Sequence, residues 1–212
     1  CGRRVTAPLR LDDRRLYLCT PDRPDLTQFL DACIQGGVDI VQLRDKTLDA
    51  RPLIDRAMTA AVVCRAHGVP FIINDRPDLA LAAGADGVHV GQDDVSPTLA
   101  RTILGVGTII GLSTHGPTDL VNSKDELVDY ISAGPVEPTP TKPGRAGTGL
   151  DYVRLVAESE TRPWFVTGGV TPGTLPALAA AGARRFVVVR WLTEAADPGA
   201  AARQLRAAID ST

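Results

Sequence analysis

The chain has 212 residues, a formal net charge of −2 and 44% apolar residues. This length can bury a large core, and this composition excludes intrinsic disorder. A nearly neutral chain offers no basic field to a nucleic acid or an anionic membrane surface, so neither is an expected partner. No apolar run approaches the roughly 18 residues of a membrane span, and we expect a cytoplasmic protein.

The four cysteines lie at positions 1, 19, 33 and 64, without the short paired spacings of metal or redox motifs. They predict a reducing compartment, in agreement with the cytoplasm. Met58 is the only methionine, so we expect that the natural N-terminus has been trimmed. The prediction is one domain over residues 1–212, with residues 1–14 as an N-terminal extension.

Short apolar runs rich in valine and isoleucine alternate with longer segments of helical periodicity. Such near-continuous runs are typical of parallel strands buried on both faces. The eight predicted strands cover residues 15–20, 40–45, 71–75, 87–91, 109–114, 130–135, 164–169 and 185–190. Eight strand–helix units predict an α/β fold, a (β/α)8 or TIM barrel, and an open doubly wound sheet is the alternative.

The joins between helices and strands repeat along the chain. Gly36, Gly84 and Gly182 each stand between a helical segment and the next strand, at separations close to one and two pairs of strand–helix units. This repetition favours the closed barrel over the open sheet. Ser96-Pro97 and Thr171-Pro172 each place a capping hydroxyl before a proline, so we expect a helix to begin at both.

The second strand ends in an alternation of polar side chains. Its period of two turns Gln42, Arg44 and Lys46 to the same side. Two cations and an amide together indicate an anion clamp, because arginine can bind phosphate oxygens in bidentate fashion. A solvated strand end is the alternative.

Acidic residues follow the third and fourth strands. Asn74-Asp75 ends one of them, and Asp94 closes the polar run after the other. Carboxylates on neighbouring strand ends are suited to Mg²⁺, so Asp75 and Asp94 are the candidate ligands. Either Asp93 or Asp94 could instead cap the next helix, and two acids could also act as a general acid and base.

The segment after the sixth strand is too rich in proline for a helix or an inner strand. Thr139, Thr141 and Lys142 offer two hydroxyls and a charge that could hold phosphate oxygens. We therefore predict an active-site loop over residues 135–149, whose glycine-rich end could close over a ligand. A stiff spacer is the alternative.

The last two strands indicate a second anion site. Gly168 and Gly169 end strand seven, and Val189 and Arg190 end strand eight, the region where barrels commonly bind a substrate phosphate. A tight packing turn is the alternative. Among the histidines, we expect His89 to be buried and satisfied within its strand, and His115 to face the site.

The order of these motifs over nearly the whole chain resembles the thiamine phosphate synthase family. The resemblance rests on residues 42–46 (QLRDK), 73–76 (INDR), 83–94 (AGADGVHVGQDD), 111–115 (GLSTH), 134–142 (GPVEPTPTK) and 167–170 (TGGV). It implies a (β/α)8 transferase that joins hydroxymethylpyrimidine diphosphate to hydroxyethylthiazole phosphate, or to its carboxylated form. The implied products are thiamine phosphate and diphosphate.

The resemblance also implies a dissociative mechanism. Mg²⁺ and cationic side chains would stabilise the departing diphosphate, and the thiazole nitrogen would capture a pyrimidine-stabilised carbocation. The implied catalytic residues are Arg44, Lys46, Ser113 and Lys142. Gln42, Arg44, Lys46, Asn74, Ser113 and Lys142 are implied for the pyrimidine diphosphate, Asp75 and Asp94 for Mg²⁺, and Thr139, Thr141 and Gly168 for the thiazole phosphate.

Two positions depart from the family pattern. Glu137 stands where an aromatic or apolar residue is usual, and we expect it to face solvent. Arg190 stands where a small serine is common, and it could add to phosphate binding. Two other activities on the same barrel are the alternatives, a thiazole tautomerase-like isomerase and a non-catalytic phosphate-binding protein. The sequence leaves a homo-oligomer open.

Overall fold

The structure is a computed structural model that describes residues 11–139, 144 and 146–212. Its strands pair in chain order into a closed parallel barrel, which confirms the predicted (β/α)8 fold. The strands are β1 (Leu16–Thr20), β2 (Ile40–Leu43), β3 (Phe71–Asn74), β4 (Gly87–Val90), β5 (Ile109–Thr114), β6 (Tyr130–Ala133), β7 (Trp164–Val166) and β8 (Phe186–Val188). They are shorter than predicted mainly at their carboxyl ends, where polar residues leave the ladder and form a rim.

Helices cover the outside of the barrel. They are α1 (Leu26–Gln35), α2 (Ala50–Ala66), α3 (Pro77–Ala83), α4 (Pro97–Leu104), α5 (Pro117–Asn122), α6 (Gly149–Ser159), α7 (Leu175–Ala180), α8 (Arg190–Thr193) and α9 (Pro198–Asp210), with a 3-10 turn at Ser123–Asp125. None of the helices in the described part of the chain is both long and apolar enough to cross a membrane.

One of the two predicted helix starts is confirmed. The Ser96 hydroxyl accepts a hydrogen bond from the Leu99 amide and caps α4. The prediction at Thr171 is wrong, because α7 begins three residues after the proline, with Thr174 at its N-cap. The Thr171 amide donates to the Thr174 hydroxyl, which in turn donates to the Gly169 carbonyl. This local network holds the intervening residues in a turn.

The barrel interior consists of stacked layers whose polarity changes along the strands. The lower layers are apolar and contain Tyr17, Ile40, Ile72, Ile109, Tyr130 and Phe165. Because the side-chain period of a strand is two, the next inward positions are two residues further on. After Ile40, Ile72 and Tyr130 these positions hold the polar residues Gln42, Asn74 and Ser132. On β5 the position after Ile109 is Gly111, and the next one is Ser113. The polar layer lies at the carboxyl end, where barrel enzymes bind substrate.

Gly111 makes room for a large ring inside the barrel. A Cβ at this position would overlap the Tyr130 ring. With the space free, the Tyr130 ring packs edge-on against Tyr17 and Phe165, at centroid distances of 6.0 and 5.5 Å. These three aromatic residues fill the centre of the barrel and support the polar layer above them.

Three aspartates close the opposite end of the barrel by the same geometry. Asp39, Asp86 and Asp129 immediately precede β2, β4 and β6. Each backbone amide donates to a carbonyl at the start of the preceding strand, and each carboxylate accepts from the amide of that same residue. The partner residues are Leu16, Phe71 and Ile110. The aspartate side chain thus extends the parallel ladder by one hydrogen bond.

Candidate active site

The polar layer and the rim enclose a cavity of about 850 Å³. Twelve predicted site residues line it, namely Gln42, Arg44, Lys46, Asn74, Asp75, Asp94, Ser113, Thr139, Gly168, Gly169, Val189 and Arg190. The other two, Thr141 and Lys142, lie outside the described residues, as does part of the predicted 135–149 loop. The structure therefore brings every described candidate to one place, while their roles stay predictions.

The two cations just after β2 lie on the same side as Gln42, as predicted. Gln42 is buried within the barrel, Arg44 is half-buried at its mouth, and Lys46 is exposed above it. All three face the cavity. Asp45 points away from it and accepts hydrogen bonds from Thr47. Burial alone would raise the pKa of Asp45, but these hydrogen bonds outweigh it and lower the pKa.

The two acidic residues predicted to bind Mg²⁺ lie side by side. Asp75 has a φ of 63°, a left-handed conformation that non-glycine residues adopt rarely. Its carboxylate lies against that of Asp94 and 2.8 Å from the Lys46 ammonium. The pKa of Asp75 is raised, because burial and the neighbouring Asp94 carboxylate outweigh the opposing effect of Lys46. A cation between the two acids would reverse this penalty.

Neither Asp93 nor Asp94 caps the next helix, because Ser96 caps α4. Asp94 instead accepts a hydrogen bond from the Gly91 amide at 2.8 Å, which turns its carboxylate toward Asp75.

The acid pair fits Mg²⁺ by its chemistry. Among residues 11–139, 144 and 146–212, no group of three or more histidine, cysteine or acidic side chains could hold a metal ion. Mg²⁺ in sites of this type takes one or two carboxylates, and substrate phosphates and waters complete its coordination. Asp75 and Asp94 are therefore sufficient as the protein's share of such a site.

A chain of buried hydrogen bonds forms the floor of the cavity. The Gln42 amide donates to the Tyr17 hydroxyl at 2.7 Å, and this hydroxyl lies 2.9 Å from that of Tyr130. The Tyr130 hydroxyl lies 2.9 Å from His89 Nδ1, and His89 Nε2 lies 2.9 Å from the Ser113 hydroxyl. His89 is buried and hydrogen-bonded, as predicted. Its contact with a candidate catalytic serine was not expected.

The two tyrosines of this floor were not among the residues predicted for the site. Tyr17 and Tyr130 resemble ordinary strand residues, because tyrosine is common in strands. The pairing register of their strands could have identified them. Tyr17 stands two residues before Cys19, which pairs with Gln42, and Tyr130 stands two before Ser132, which pairs with Ser113. Both tyrosines therefore lie directly below polar positions of the cavity.

The opposite side of the cavity contains the glycine turn predicted as a second anion site. Gly168 and Gly169 have φ angles of 92° and 76°. A Cβ at Gly168 would meet the Pro135 Cβ at 2.6 Å, so only glycine fits between the two segments. Glu137 is exposed, as expected, but its carboxylate lies over Gly169 rather than pointing away from the site.

His115 connects the end of β5 to the segment after β6. Its Nδ1 is hydrogen-bonded to the Gly134 carbonyl, and its amide donates to the Asp119 carboxylate at 2.9 Å. The ring lines the cavity, as predicted. Its contacts anchor the Gly134 backbone beside the glycine turn.

Comparison with known proteins decides the family. The family model described as "Thiamine monophosphate synthase" matches residues 16–192. The chain belongs to this family. The thiamine-phosphate synthase of Mycolicibacterium smegmatis is 48% identical over 215 residues, with 95% of each chain covered. That of Thermobifida fusca is 50% identical over 202 residues, with 93% of each chain covered.

A solved structure agrees with these relatives. The thiamine phosphate pyrophosphorylase of Pyrococcus furiosus superimposes with a TM-score of 0.85 at 27% identity, covering 93% of this chain and 96% of that one. The predicted family, and the prediction of a thiamine-phosphate synthase of the transferase class, are confirmed. The tautomerase-like and non-catalytic alternatives are not favoured.

Proposed function

We propose that the cavity joins hydroxymethylpyrimidine diphosphate to hydroxyethylthiazole phosphate and releases diphosphate. One observation carries the assignment of substrates to the two sides of the cavity. Arg44 and Lys46 stand with the acid pair Asp75 and Asp94 on one side, and the glycine turn of β7 stands on the other. Two anionic groups can therefore bind at the two sides, with the reacting carbon and nitrogen between them.

The diphosphate binds on the side of β2 and β3. Arg44 provides a planar pair of donors for phosphate oxygens, and Lys46 provides a point charge. Lys46 starts from an ion pair with Asp75, so it can turn to the diphosphate while the acids bind a cation. When bound by Asp75 and Asp94, Mg²⁺ supplies positive charge to the diphosphate oxygens.

The reaction exchanges one bond for another. The bond between the pyrimidine's methylene carbon and the diphosphate oxygen breaks, and its electron pair leaves with the diphosphate. The thiazole nitrogen then donates its lone pair to the same carbon. The cationic side chains stabilise the charge that develops on the leaving group, and the cavity holds the two reactants in line. A protein nucleophile is not required.

The thiazole phosphate binds at the glycine turn. Gly168 and Gly169 carry no side chains, so a phosphate can approach their backbone closely. Arg190 is the first residue of α8 and lines the same cavity, so it adds a positive charge for the phosphate. Thr139 lines the cavity as well, and Thr141 and Lys142 extend the proposal to the loop beyond it.

We also propose that the enzyme works in the cytoplasm. Two of the described cysteines, Cys33 and Cys64, are free and buried, which is compatible with a reducing compartment. Burial raises the pKa of the Cys33 and Cys64 thiols to about 12, so neither is a reactive thiolate at neutral pH.

A reconstituted assay tests the reaction. The protein is mixed with both precursors, with and without Mg²⁺, and thiamine phosphate and diphosphate are measured in the same samples. We expect the two products in equal amounts and only when Mg²⁺ is present. Isomerisation of the thiazole phosphate without release of diphosphate would support the tautomerase-like alternative. Phosphate binding without turnover would support the non-catalytic one.

A further inference from the structure

We propose that a buried relay of hydrogen bonds, which starts at Gln42, makes the Ser113 hydroxyl a hydrogen-bond donor toward the cavity. The relay consists of Gln42, Tyr17, Tyr130, His89 and Ser113. The inference rests on the proposed function only where it names the acceptor, an anionic oxygen of the diphosphate. The direction of the relay is a property of the protein without substrate.

The side-chain amide of Gln42 determines which group donates and which accepts in each hydrogen bond of the relay. Its Oε1 faces the Cys19 thiol at 3.3 Å, and its Nε2 faces the Tyr17 hydroxyl at 2.7 Å. An amide nitrogen can only donate. The Tyr17 oxygen therefore accepts from Gln42, and its own hydrogen is directed to the Tyr130 oxygen.

Each of the two tyrosines accepts one hydrogen bond and donates the next. Burial raises the pKa of both Tyr17 and Tyr130, so each hydroxyl keeps its single hydrogen. Since the Tyr130 oxygen accepts from Tyr17, its hydrogen is directed to Nδ1 of His89 at 2.9 Å. A chain of neutral hydroxyls has only two consistent directions, and the first donor selects between them.

The hydrogen bond from Tyr130 determines the tautomer of His89. Its Nδ1 accepts from Tyr130, so the ring hydrogen of neutral His89 is on Nε2 and points at the Ser113 oxygen. Ser113 then accepts from His89, and the Ser132 hydroxyl also donates to it at 3.4 Å. Ser113 therefore keeps its own hydrogen for another acceptor. In the opposite direction Ser113 would donate to His89 and turn its lone pairs toward an anionic substrate. The observed direction is the one that complements an anion.

The tautomer of His89 can be measured directly. Nitrogen NMR of ¹⁵N-histidine-labelled protein distinguishes a protonated ring nitrogen from an unprotonated one, and His67→Gln and His115→Gln variants assign the three signals. At neutral pH we expect His89 to be protonated on Nε2 alone. Protonation on Nδ1, or on both nitrogens, overturns the proposal.

Gln42→Glu tests the origin of the direction. The variant has nearly the same shape, but its carboxylate can only accept, so Tyr17 would donate to it and every later bond would reverse. We expect the His89 hydrogen to move from Nε2 to Nδ1. Gln92→Glu is the matched control, because Gln92 donates to the Ser113 carbonyl and stands outside the relay. It should leave the tautomer unchanged.

A second variant keeps the test decisive if Gln42→Glu does not fold. Tyr17→Phe removes the link between Gln42 and Tyr130, so both tautomers of His89 should be populated. A pure Nε2 tautomer in either Gln42→Glu or Tyr17→Phe contradicts the proposed origin at Gln42.

Steady-state kinetics show whether Gln42 acts through Ser113. Gln42→Met removes the donor without adding a charge, and we expect about a 100-fold lower kcat, the usual loss for one donor to a developing anion. Ser113→Ala should lose a similar factor, and the double variant should lose little more than either single one. Fully additive losses would overturn the coupling. A wild-type protein without synthase activity would contradict the proposed function, while the NMR result would still decide the relay.

Discussion

The Lys46 ammonium lies 2.8 Å from the Asp75 carboxylate, so the cation proposed for the diphosphate is paired with an acid proposed for Mg²⁺. Each of the two residues neutralises the other while the site holds no substrate. Binding of a diphosphate with Mg²⁺ would replace this pair by two new ones, Lys46 with the diphosphate and Mg²⁺ with Asp75. The pair therefore prepares the site for a joint ligand of metal and diphosphate.

Asp75→Asn should abolish most turnover and leave stability intact. Asparagine tolerates the left-handed backbone of residue 75, and loss of one charge removes the repulsion from Asp94. We expect at least a 100-fold lower kcat, a higher Mg²⁺ concentration for half-maximal rate, and a melting temperature equal to or above that of the wild type. Kinetics at varied Mg²⁺ and thermal melts measure these three quantities.

Asp93→Asn is the matched control for that variant. Asp93 is exposed at the same rim, so the same chemical change there should leave the Mg²⁺ dependence unaltered. A melting temperature that falls together with activity in Asp75→Asn would mean that the acid is structural.

Asp86→Ala should lower the stability of the protein and leave its activity intact. The substitution leaves the Phe71 amide without the carboxylate that accepts its hydrogen at 2.9 Å. A part-buried donor without a partner costs about 1–3 kcal/mol. We expect a lower free energy of unfolding by that amount in urea titrations, with kcat close to the wild-type value, because Asp86 lies at the end of the barrel away from the cavity. A selective loss of kcat would contradict this division.

Gly111→Ala should damage both stability and activity. The added methyl group overlaps the Tyr130 ring, and overpacking of a core typically costs about 1–3 kcal/mol. Because Tyr130 supports His89, we also expect kcat to fall by more than the unfolded fraction explains. Melting curves and kinetics on the folded fraction would separate the two effects. An unchanged melting temperature would show that the ring can move without cost.

Glu160→Gln should remove part of the acid sensitivity of the fold. Burial alone would raise the pKa of Glu160, but Arg162, at 2.7 Å, outweighs it and lowers the pKa. A carboxyl whose pKa is lower in the folded state stabilises the fold above the ordinary glutamate pKa, and this contribution disappears as the pH falls through the folded value. The wild type should therefore melt higher than the variant at neutral pH, with a difference that shrinks in acid. A difference independent of pH would argue against the ion pair.

His115→Ala should retain measurable synthase activity. The ring anchors the Gly134 carbonyl but is given no part in breaking or forming a bond. We expect a loss smaller than that of Ser113→Ala, measured as thiamine phosphate formed. Complete loss would favour histidine-dependent chemistry of the tautomerase-like type.

The sequence was sufficient for the architecture, and it brought the described candidate residues to one cavity, but it did not point to Tyr17 and Tyr130. Alternation on β2 placed Gln42, Arg44 and Lys46 correctly because the side-chain period of a strand is fixed by its backbone. The contacts between strands could not be predicted in the same way. The pairing of Lys46 with Asp75, and of His89 with Ser113, depends on the registers of neighbouring strands, which no local pattern specifies. Thr171 was misassigned because its hydroxyl network with Thr174 closes a turn before the helix.

The aspartates that precede β2, β4 and β6 perform a task that is separate from chemistry. They connect β2, β4 and β6 each to the strand before it, at the end of the barrel farthest from the substrates. Because hydrogen bonds hold the strands together at that end, the stability of the barrel depends less on the residues of the mouth. Substitutions at the mouth could therefore be made to accept a new substrate while the three aspartates hold the other end of the barrel together.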